Sequence, residues 1–212
     1  MITDSLGAVT FGLFFLAVLG SFAAVAAFVV AKLVKKPQWA TWIVRLELAG
    51  LALYALLLLG FSLTSRDQEL RIGEEKHICE VDCHLAYSVV GVQRAKQWQG
   101  RTATGTFAIV TVRVRFDSFT IASGRPRNVG LHPNGRSVAL VDSHGHRYSA
   151  DPQPLDSTLI PGQEYRTDFV FDLPDDAAPT RFLLASGDWP THLMIAHENA
   201  FLHGRITWRL QA

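Results

Sequence analysis

The segment from His77 to His84 holds the most reactive side chains of this chain. It reads His-Ile-Cys-Glu-Val-Asp-Cys-His, and Cys79 and Cys83 are the only cysteines in the sequence. Thiolates and imidazoles together suit copper or zinc, and two thiols can also form a disulfide. The segment therefore predicts a metal site or a covalent crosslink, and its residues leave both interpretations open.

A disulfide between Cys79 and Cys83 requires a change of chain direction. In one continuous strand their Cα atoms would lie about 13 Å apart at about 3.3 Å per residue, whereas a disulfide tolerates roughly 4.4 to 6.8 Å. We therefore expect a turn or bulge through residues 80–82 if the bridge forms. An oxidising compartment outside the cytoplasm favours such a bridge.

A metal site is the rival interpretation of the same residues. Its ligands would be Cys79, Cys83 and His84, with His77 beside them, and copper or zinc would be the metal. The Cys-x-x-x-Cys spacing resembles that of copper-delivery proteins and of the binuclear copper site of terminal oxidases, but the other ligands of those families are missing. Further ligands would have to come from a late segment folding back over the first strand: His192, Met194, His197 and His203.

Two more interpretations of the cysteine pair remain open. One is a haem attachment site expanded by one residue, although a strand would put Cys83 and His84 on opposite faces. The other is a pair of buried, unpaired thiols. The histidines that lie in turn segments are expected to be solvated: His132, His144 and His146.

No motif of the chain points to a catalytic site. The sequence has no Gly-x-Ser-x-Gly elbow, no phosphate-binding glycine loop and no acidic pair at a recognisable spacing. We therefore expect a protein that is not an enzyme and that requires no cofactor, unless a metal binds the cysteine segment.

Two apolar runs precede the cysteine segment and determine where it lies. They extend from about Val9 to Ala31 and from about Leu46 to Thr64. Each is long enough to cross a hydrocarbon core about 30 Å thick. The expected architecture begins with a transmembrane helical hairpin in residues 1–65.

The loop 32–45 between the two runs sets the predicted orientation. Trp39 and Trp42 fall where an interfacial aromatic belt would lie, and the N-terminal tail has no basic residue. The positive-inside rule then places the loop in the cytoplasm and both chain ends outside it. The basic residues of the loop are Lys32, Lys35, Lys36 and Arg45.

The net charge of the outer part bears on the kind of partner that it could bind. The chain has 20 basic and 19 acidic residues, and four basic and two acidic ones lie in the first 65 residues. The remainder is close to neutral, so net charge gives no reason to expect a nucleic acid or an acidic substrate.

The residues after the hairpin show the alternation of β-strands. Apolar side chains recur at every second position from Val81 to Val89 and from Ala108 to Phe116. Turn residues separate these strands from later ones, and the absence of a good amphipathic helix favours an antiparallel β-sandwich of about seven strands. The later strands are 138–141, 146–149, 165–173, 181–186 and 205–210.

The order of these strand and turn signals resembles a known family. The segments that carry the resemblance are 88–92, 105–107, 110–114, 140–142 with Gly145 and Tyr148, 159–162 and 169–174. They resemble the telokin-like, immunoglobulin-like extracellular domains of unknown function on bacterial membrane-anchored proteins and lipoproteins. The resemblance implies a binding or interaction module, and this chain departs from it in its two helices and its cysteine pair.

The sequence thus predicts three parts. Residues 1–65 form the transmembrane hairpin, 66–78 a juxtamembrane linker and 79–212 an extracytoplasmic, immunoglobulin-like β-sandwich. The expected function is a non-enzymatic interaction module in the cell membrane that binds an envelope protein. The alternative is metal handling or electron transfer by Cys79, Cys83 and His84.

Overall fold

The structure is a computed structural model that describes residues 4–78, 84–121, 124, 126–133, 135–150 and 155–210. The chain divides into two compact units. The helical unit consists of Met1–Arg66 and Trp189–Gly204, and the sandwich unit consists of Asp67–Asp188 and Arg205–Ala212. The segment 189–204, which we expected in the sandwich, thus belongs with the helices.

Two long apolar helices form the first part of the helical unit. Helix α1 is Asp4–Leu33 and helix α2 is Pro37–Thr64. Both are long and apolar enough to cross a membrane. Most of their large apolar side chains point away from the protein, so these are not the core helices of a globular domain.

The connection between the helices is shorter than the sequence suggested. The loop was expected over 32–45, but α2 already begins at Pro37. Proline suits the first turn of a helix because it has no N–H to leave unsatisfied there and its φ is already helical. Hydropathy marks only the apolar part of the helix, so the polar first turns were assigned to the loop.

The two helices contact each other in the half that adjoins their connection. The Ser21 hydroxyl on α1 donates a hydrogen bond to Oε1 of Glu47 on α2 at 2.5 Å. Near the connection, Ala31 and Ala40 are buried. Glu47 is therefore half-buried and contacts the other helix.

The sandwich unit is built of two sheets, and the predicted two-layer β-sandwich is confirmed. One sheet has five strands in the order β1-β9-β8-β5-β6, and the other has four in the order β2-β3-β4-β7. All pairings are antiparallel except that of β1 with β9. The strands are β1 Gln68–Leu70, β2 Lys76–His77, β3 Leu85–Trp98, β4 Arg101–Phe116, β5 Arg136–Asp142, β6 Arg147–Ser149, β7 Glu164–Leu173, β8 Pro179–Ser186 and β9 Ile206–Arg209.

The core lies between the inner faces of the two sheets. Phe182 is at its centre, with ring centroids 5.7 Å from Phe169 and 5.9 Å from Trp208. Leu85, Tyr87 and Val89, which were expected to share a face, all belong to this core. Its largest side chains, all fully buried, are Tyr87, Phe116, Phe169, Phe171, Phe182 and Trp208.

The segment 66–78 differs from the expected linker because it supplies a strand to each sheet. Strand β1 pairs with β9, and β2 pairs with β3. Lys76 is buried, and its ammonium donates to the carbonyl oxygens of Leu184 at 2.6 Å and Ile206 at 3.2 Å. The mixed charges of residues 66–78 resembled those of a solvated linker. Strands β1 and β2 form there because the neighbouring strands β9 and β3 offer unpaired backbone groups.

Gly105 is expected to be intolerant of any side chain. An added Cβ would lie 2.1 Å from the carbonyl oxygen of Leu173, which is backbone that cannot move aside cheaply. We expect Gly105→Ala to destabilise the sandwich by about 1–3 kcal/mol. Gly91→Ala is the matched control, because the nearest atoms to its added Cβ are side-chain atoms of Thr111 at 3.9 Å. Urea unfolding of the full chain in detergent measures both, and equal losses would contradict the prediction.

Candidate binding site

The cysteine segment connects two paired strand ends. The Ile78 N–H donates to the Leu85 carbonyl oxygen at 3.3 Å, in line with the antiparallel pairing of β2 and β3. Cys79 and Cys83 lie in the connection between these residues, outside the part of the chain that the structure describes. The interpretations of the cysteine pair therefore all stay predictions.

The two flanking histidines contact one short turn after β4. Nε2 of His77 lies 3.2 Å from Oδ2 of Asp117. Nδ1 of His84 lies 2.6 Å from Oγ1 of Thr120, and the His84 ring is buried and stacks on Phe116. Both imidazoles thus hold the ends of the cysteine segment against the same turn.

An ion-pair network lies beside His77 on the outer face of the four-stranded sheet. Glu75 accepts two hydrogen bonds from Arg115, at 3.1 and 2.7 Å, and one from Arg113 at 2.9 Å. The hydrogen bonds from Arg115 hold the pKa of Glu75 below its usual value. Burial alone would raise the pKa of Asp117, but hydrogen bonds from the Phe119 N–H, His77 and Arg115 lower it. These charges neutralise one another and form a structural cluster.

The hairpin turn between β5 and β6 contains another cluster of polar residues. Asp142 is buried, and its Oδ1 accepts hydrogen bonds from the N–H groups of His144 and His146, both at 2.8 Å. Its Oδ2 lies 2.9 Å from Nδ1 of His146 and accepts a 3.3 Å bond from Tyr148. Gly145 has a φ of 87°, which closes the turn.

Among the described residues, Asp142, His144 and His146 are the one group of three side chains placed as metal ligands. Both carboxylate oxygens of Asp142 already accept hydrogen bonds within the turn. The cluster is therefore explained by turn formation, and the exposed imidazoles behave as the solvated turn residues that the sequence predicted.

The Asp142 turn makes stability depend on acid pH. Burial would raise the pKa of Asp142, but hydrogen bonds from His146 and from two backbone N–H groups lower the pKa to about 2. Because an unfolded aspartate titrates near about 3.9, this stabilisation is present above about pH 4 and is lost as the pH falls through about 2. We expect the urea midpoint to fall more steeply between these pH values in the wild type than in Asp142→Asn. Parallel curves would contradict this.

A row of arginines crosses the outer face of the five-stranded sheet. Arg147 on β6 is opposite Val141, Val141 is opposite Arg181 on β8, and Arg181 is opposite Arg209 on β9. Directly opposed residues share a face, and neighbouring strands are about 4.8 Å apart. Because Phe182 and Trp208 are in the core, Arg181 and Arg209 point outward.

A groove lies beside this row, and we call it the arginine groove. Its volume is about 200 Å³, and it is lined by Asp67, Val141, Gly145, Arg147, Arg181, Leu183, Arg205 and Thr207. Three guanidinium groups therefore line it, against the single carboxylate of Asp67. Asp67 itself accepts a hydrogen bond from the Arg205 N–H at 2.8 Å.

The arginine row is not neutralised within the sandwich unit. Arg147, Arg181 and Arg209 make no ion pair or side-chain hydrogen bond with any residue that the structure describes. Like charges opposite each other destabilise a sheet, so Arg181 and Arg209 are unfavourable for folding alone. Guanidinium groups bind carboxylates in a bidentate geometry. The row is therefore suited to bind an acidic group.

This groove was not predicted from the sequence, because the net charge gave no reason to expect an acidic ligand. The net charge does not show how the charges are distributed over the surface. The acidic residues that balance the arginines lie elsewhere, as Glu75 does beside Arg113 and Arg115. The sequence signal that could have predicted the groove is an arginine at an outward-facing position of several neighbouring strands.

The late histidines belong to the helical unit and are held by hydrogen bonds within their own segment. Nδ1 of His192 donates to the Asn199 carbonyl oxygen at 2.6 Å, and Nδ1 of His197 accepts from the Asn199 N–H at 3.0 Å. Nδ1 of His203 donates to the Gly204 carbonyl oxygen at 2.7 Å. These contacts explain three histidines that were proposed as further metal ligands.

Comparisons with known proteins give little further information. No protein-family model matches the chain, and no curated protein matches it. Among solved structures, MPT63, a secreted protein from Mycobacterium tuberculosis, is similar over 69% of this chain and 99% of that chain, with 13% identity and a TM-score of 0.46. The strand order of the two sheets is given by the pairing within this chain.

Proposed function

We propose that this chain is a membrane-anchored, non-enzymatic binding module whose immunoglobulin-like sandwich binds an acidic group of an envelope protein outside the cytoplasm. The observation that carries the proposal is the unpaired arginine row beside a groove on the sandwich. The two apolar helices supply the anchor, and the basic connection between them supplies the orientation.

The anchor is supported by what the helices expose. Leu53 on α2 is 60% exposed, and Leu16 on α1 is 67% exposed. A continuous apolar surface of this kind is unfavourable in water and favourable in a bilayer. Lys35 and Lys36 lie at the connection, which therefore faces the cytoplasm by the positive-inside rule.

The acidic ligand is supported by the size and charge of the arginine groove. About 200 Å³ is too small for most ligand pockets, which span roughly 300–1,000 Å³, but it suits one acidic side chain. Leu183 and Ala139 are buried on the same outer face of the five-stranded sheet, so the guanidinium groups lie beside an apolar surface. A partly dry environment strengthens charged hydrogen bonds.

An acidic peptide tests the binding proposal directly. Fluorescein-labelled hexaglutamate should bind the full chain in detergent, as followed by fluorescence anisotropy, and hexalysine should not. Binding should weaken as salt is raised, because exposed charges are screened. If hexaglutamate fails to bind at low salt, or if hexalysine binds equally well, the arginine groove has no such role.

A second candidate function is metal handling by Cys79, Cys83, His77 and His84. The pairing of Ile78 with Leu85 favours it, because it holds the two ends of the cysteine segment side by side. The same pairing also favours the rival disulfide, since a short antiparallel connection meets the need for a change of chain direction.

The Cys79→Ser/Cys83→Ser variant separates the two interpretations. If copper or zinc binds there, the wild type purified without chelator carries stoichiometric metal and the variant carries none. If the disulfide forms instead, the metal content does not change. The variant is then less stable by about 2 kcal/mol, the value expected for closing a loop of about five residues.

A further inference from the structure

We propose that the segment 189–204 inserts into the lipid interface beside α2 and forms a second, peripheral contact of this protein with the bilayer. This inference rests on the proposed membrane anchor. The segment belongs to the helical unit and contains a short 3-10 helix, Trp189–Leu193.

The segment packs against the side of α2, one to three turns before the C-terminal end of that helix. The Tyr54 hydroxyl donates a hydrogen bond to the Leu193 carbonyl oxygen at 2.7 Å. Ile195 and Ala200 are buried in one apolar cluster with Leu58. The Gly204 N–H donates to the Ser65 hydroxyl oxygen at 2.6 Å and fixes the other end.

These contacts determine the depth of the segment. About 20 residues of helix cross the hydrocarbon core. Counting from Trp39, at the expected inner interface, about 20 residues reach Leu58, so Tyr54 and Leu58 lie at the outer interface. Counting from Arg45 moves the outer boundary to Thr64 and places the segment deeper. In both cases the segment meets lipid.

The side chains that the segment exposes are those that suit this location. Trp189 is 66% exposed, Phe201 49% and Leu202 70%. Tryptophan is enriched at membrane interfaces, where one end of its ring can be apolar and the other wet. Three large apolar side chains on a short segment would be unfavourable in water.

Several backbone groups of the segment are satisfied by its own atoms. The N–H groups of Met194, His197 and Ala200 each donate to a carbonyl oxygen within the segment. The Phe201 N–H donates to the His192 carbonyl oxygen at 3.2 Å, and the two side chains stack. Internal hydrogen bonding is what irregular backbone needs in a medium with little water.

Leu202 adopts a backbone conformation that needs compensation. Its φ is 63°, in the left-handed region that is unfavourable for a leucine. The Leu202 side chain is 70% exposed, so most of its surface is not packed against the protein. Burial of Leu202 in lipid would offset the cost.

Nitroxide labels test the location of the segment. Leu202→Cys and Phe119→Cys, each in a Cys79→Ser/Cys83→Ser background, are labelled in the full chain and placed in phosphatidylcholine–phosphatidylglycerol vesicles. Phe119 is the matched control, because it is an apolar residue of the sandwich unit with 94% exposure. Oxygen partitions into lipid, whereas a water-soluble nickel complex stays in water. We expect the label at position 202 to collide mainly with oxygen and the label at position 119 mainly with the nickel complex.

A third label distinguishes failure of this inference from failure of the anchor. Leu53→Cys lies on the exposed face of α2. If the label at position 53 is exposed to lipid, but the label at position 202 is as accessible to the nickel complex as the label at position 119, the inference is overturned and the proposed anchor stands. Nickel accessibility at 53 would overturn both.

Brominated phospholipids give a second measurement that leaves both cysteines in place. They quench tryptophan at the interface, and Trp189→Phe should remove part of that quenching in the full chain. Equal quenching of the wild type and the variant would contradict insertion of the segment.

Discussion

Trp208→Ala should destabilise the sandwich unit by about 3–5 kcal/mol, the range for removal of a large aromatic side chain from a packed core. The Trp208 side chain is fully buried, and its ring centroid lies 5.9 Å from that of Phe182. Its indole N–H donates to the Glu74 carbonyl oxygen at 2.9 Å, and the Lys76 ammonium lies 5.8 Å from the ring. The substitution therefore leaves a cavity and removes the contacts that hold the segment before β3.

Trp189→Ala is the matched control, because this tryptophan is 66% exposed and lies outside the sandwich unit. Pulse proteolysis of the full chain across a urea series measures the stability of both variants. We expect a large loss for Trp208→Ala and a change within about 0.5 kcal/mol for Trp189→Ala, as for most surface positions. Similar losses would mean that Trp208 does not hold the core together.

Arg147→Gln/Arg181→Gln should weaken binding of hexaglutamate about tenfold or more. A hydrogen bond to a charged group contributes about 1.5–3 kcal/mol when shielded from solvent, and 1.4 kcal/mol corresponds to a factor of ten. Arg147 is exposed and Arg181 half-buried, so screening reduces the effect of each below the shielded value. Glutamine keeps most of the side-chain length and removes the charge.

Arg166→Gln is the control for the arginine pair. Arg166 is an exposed strand residue of β7 in the other sheet, and it has no ion pair among the described residues. Its replacement should leave the affinity for hexaglutamate unchanged, as measured by anisotropy at fixed salt. An equal loss in the two variants would show that the peptide senses only overall charge.

The sequence predicted most of the sandwich because alternation reports one buried face of a strand. Strand β7 ends at Leu173, as the predicted strand 165–173 does, and the β5–β6 hairpin lies where strands 138–141 and 146–149 were predicted. The hairpin that joins β3 to β4 was missed. It turns at Gln99 and Gly100, both with positive φ, and a glutamine is a weak signal for that conformation.

The parts that were not predicted depend on contacts distant in sequence. Strands β1 and β2 are only two or three residues long, so they carry no periodicity. The docking of residues 189–204 on α2 and the arginine groove arise from the packing and register of elements far apart in the chain. Neither is visible in a local pattern.

Labelling from outside the cell tests the central claim most directly. Phe119→Cys and Lys35→Cys, each in the Cys79→Ser/Cys83→Ser background, are treated with a membrane-impermeant maleimide in intact spheroplasts and again after lysis. A membrane-anchored module with its sandwich outside predicts that position 119 is labelled in intact spheroplasts and position 35 only after lysis, with both variants in the carbonate-resistant membrane fraction. Labelling of position 35 but not 119 from outside, or release of the protein by carbonate, would contradict the proposed function.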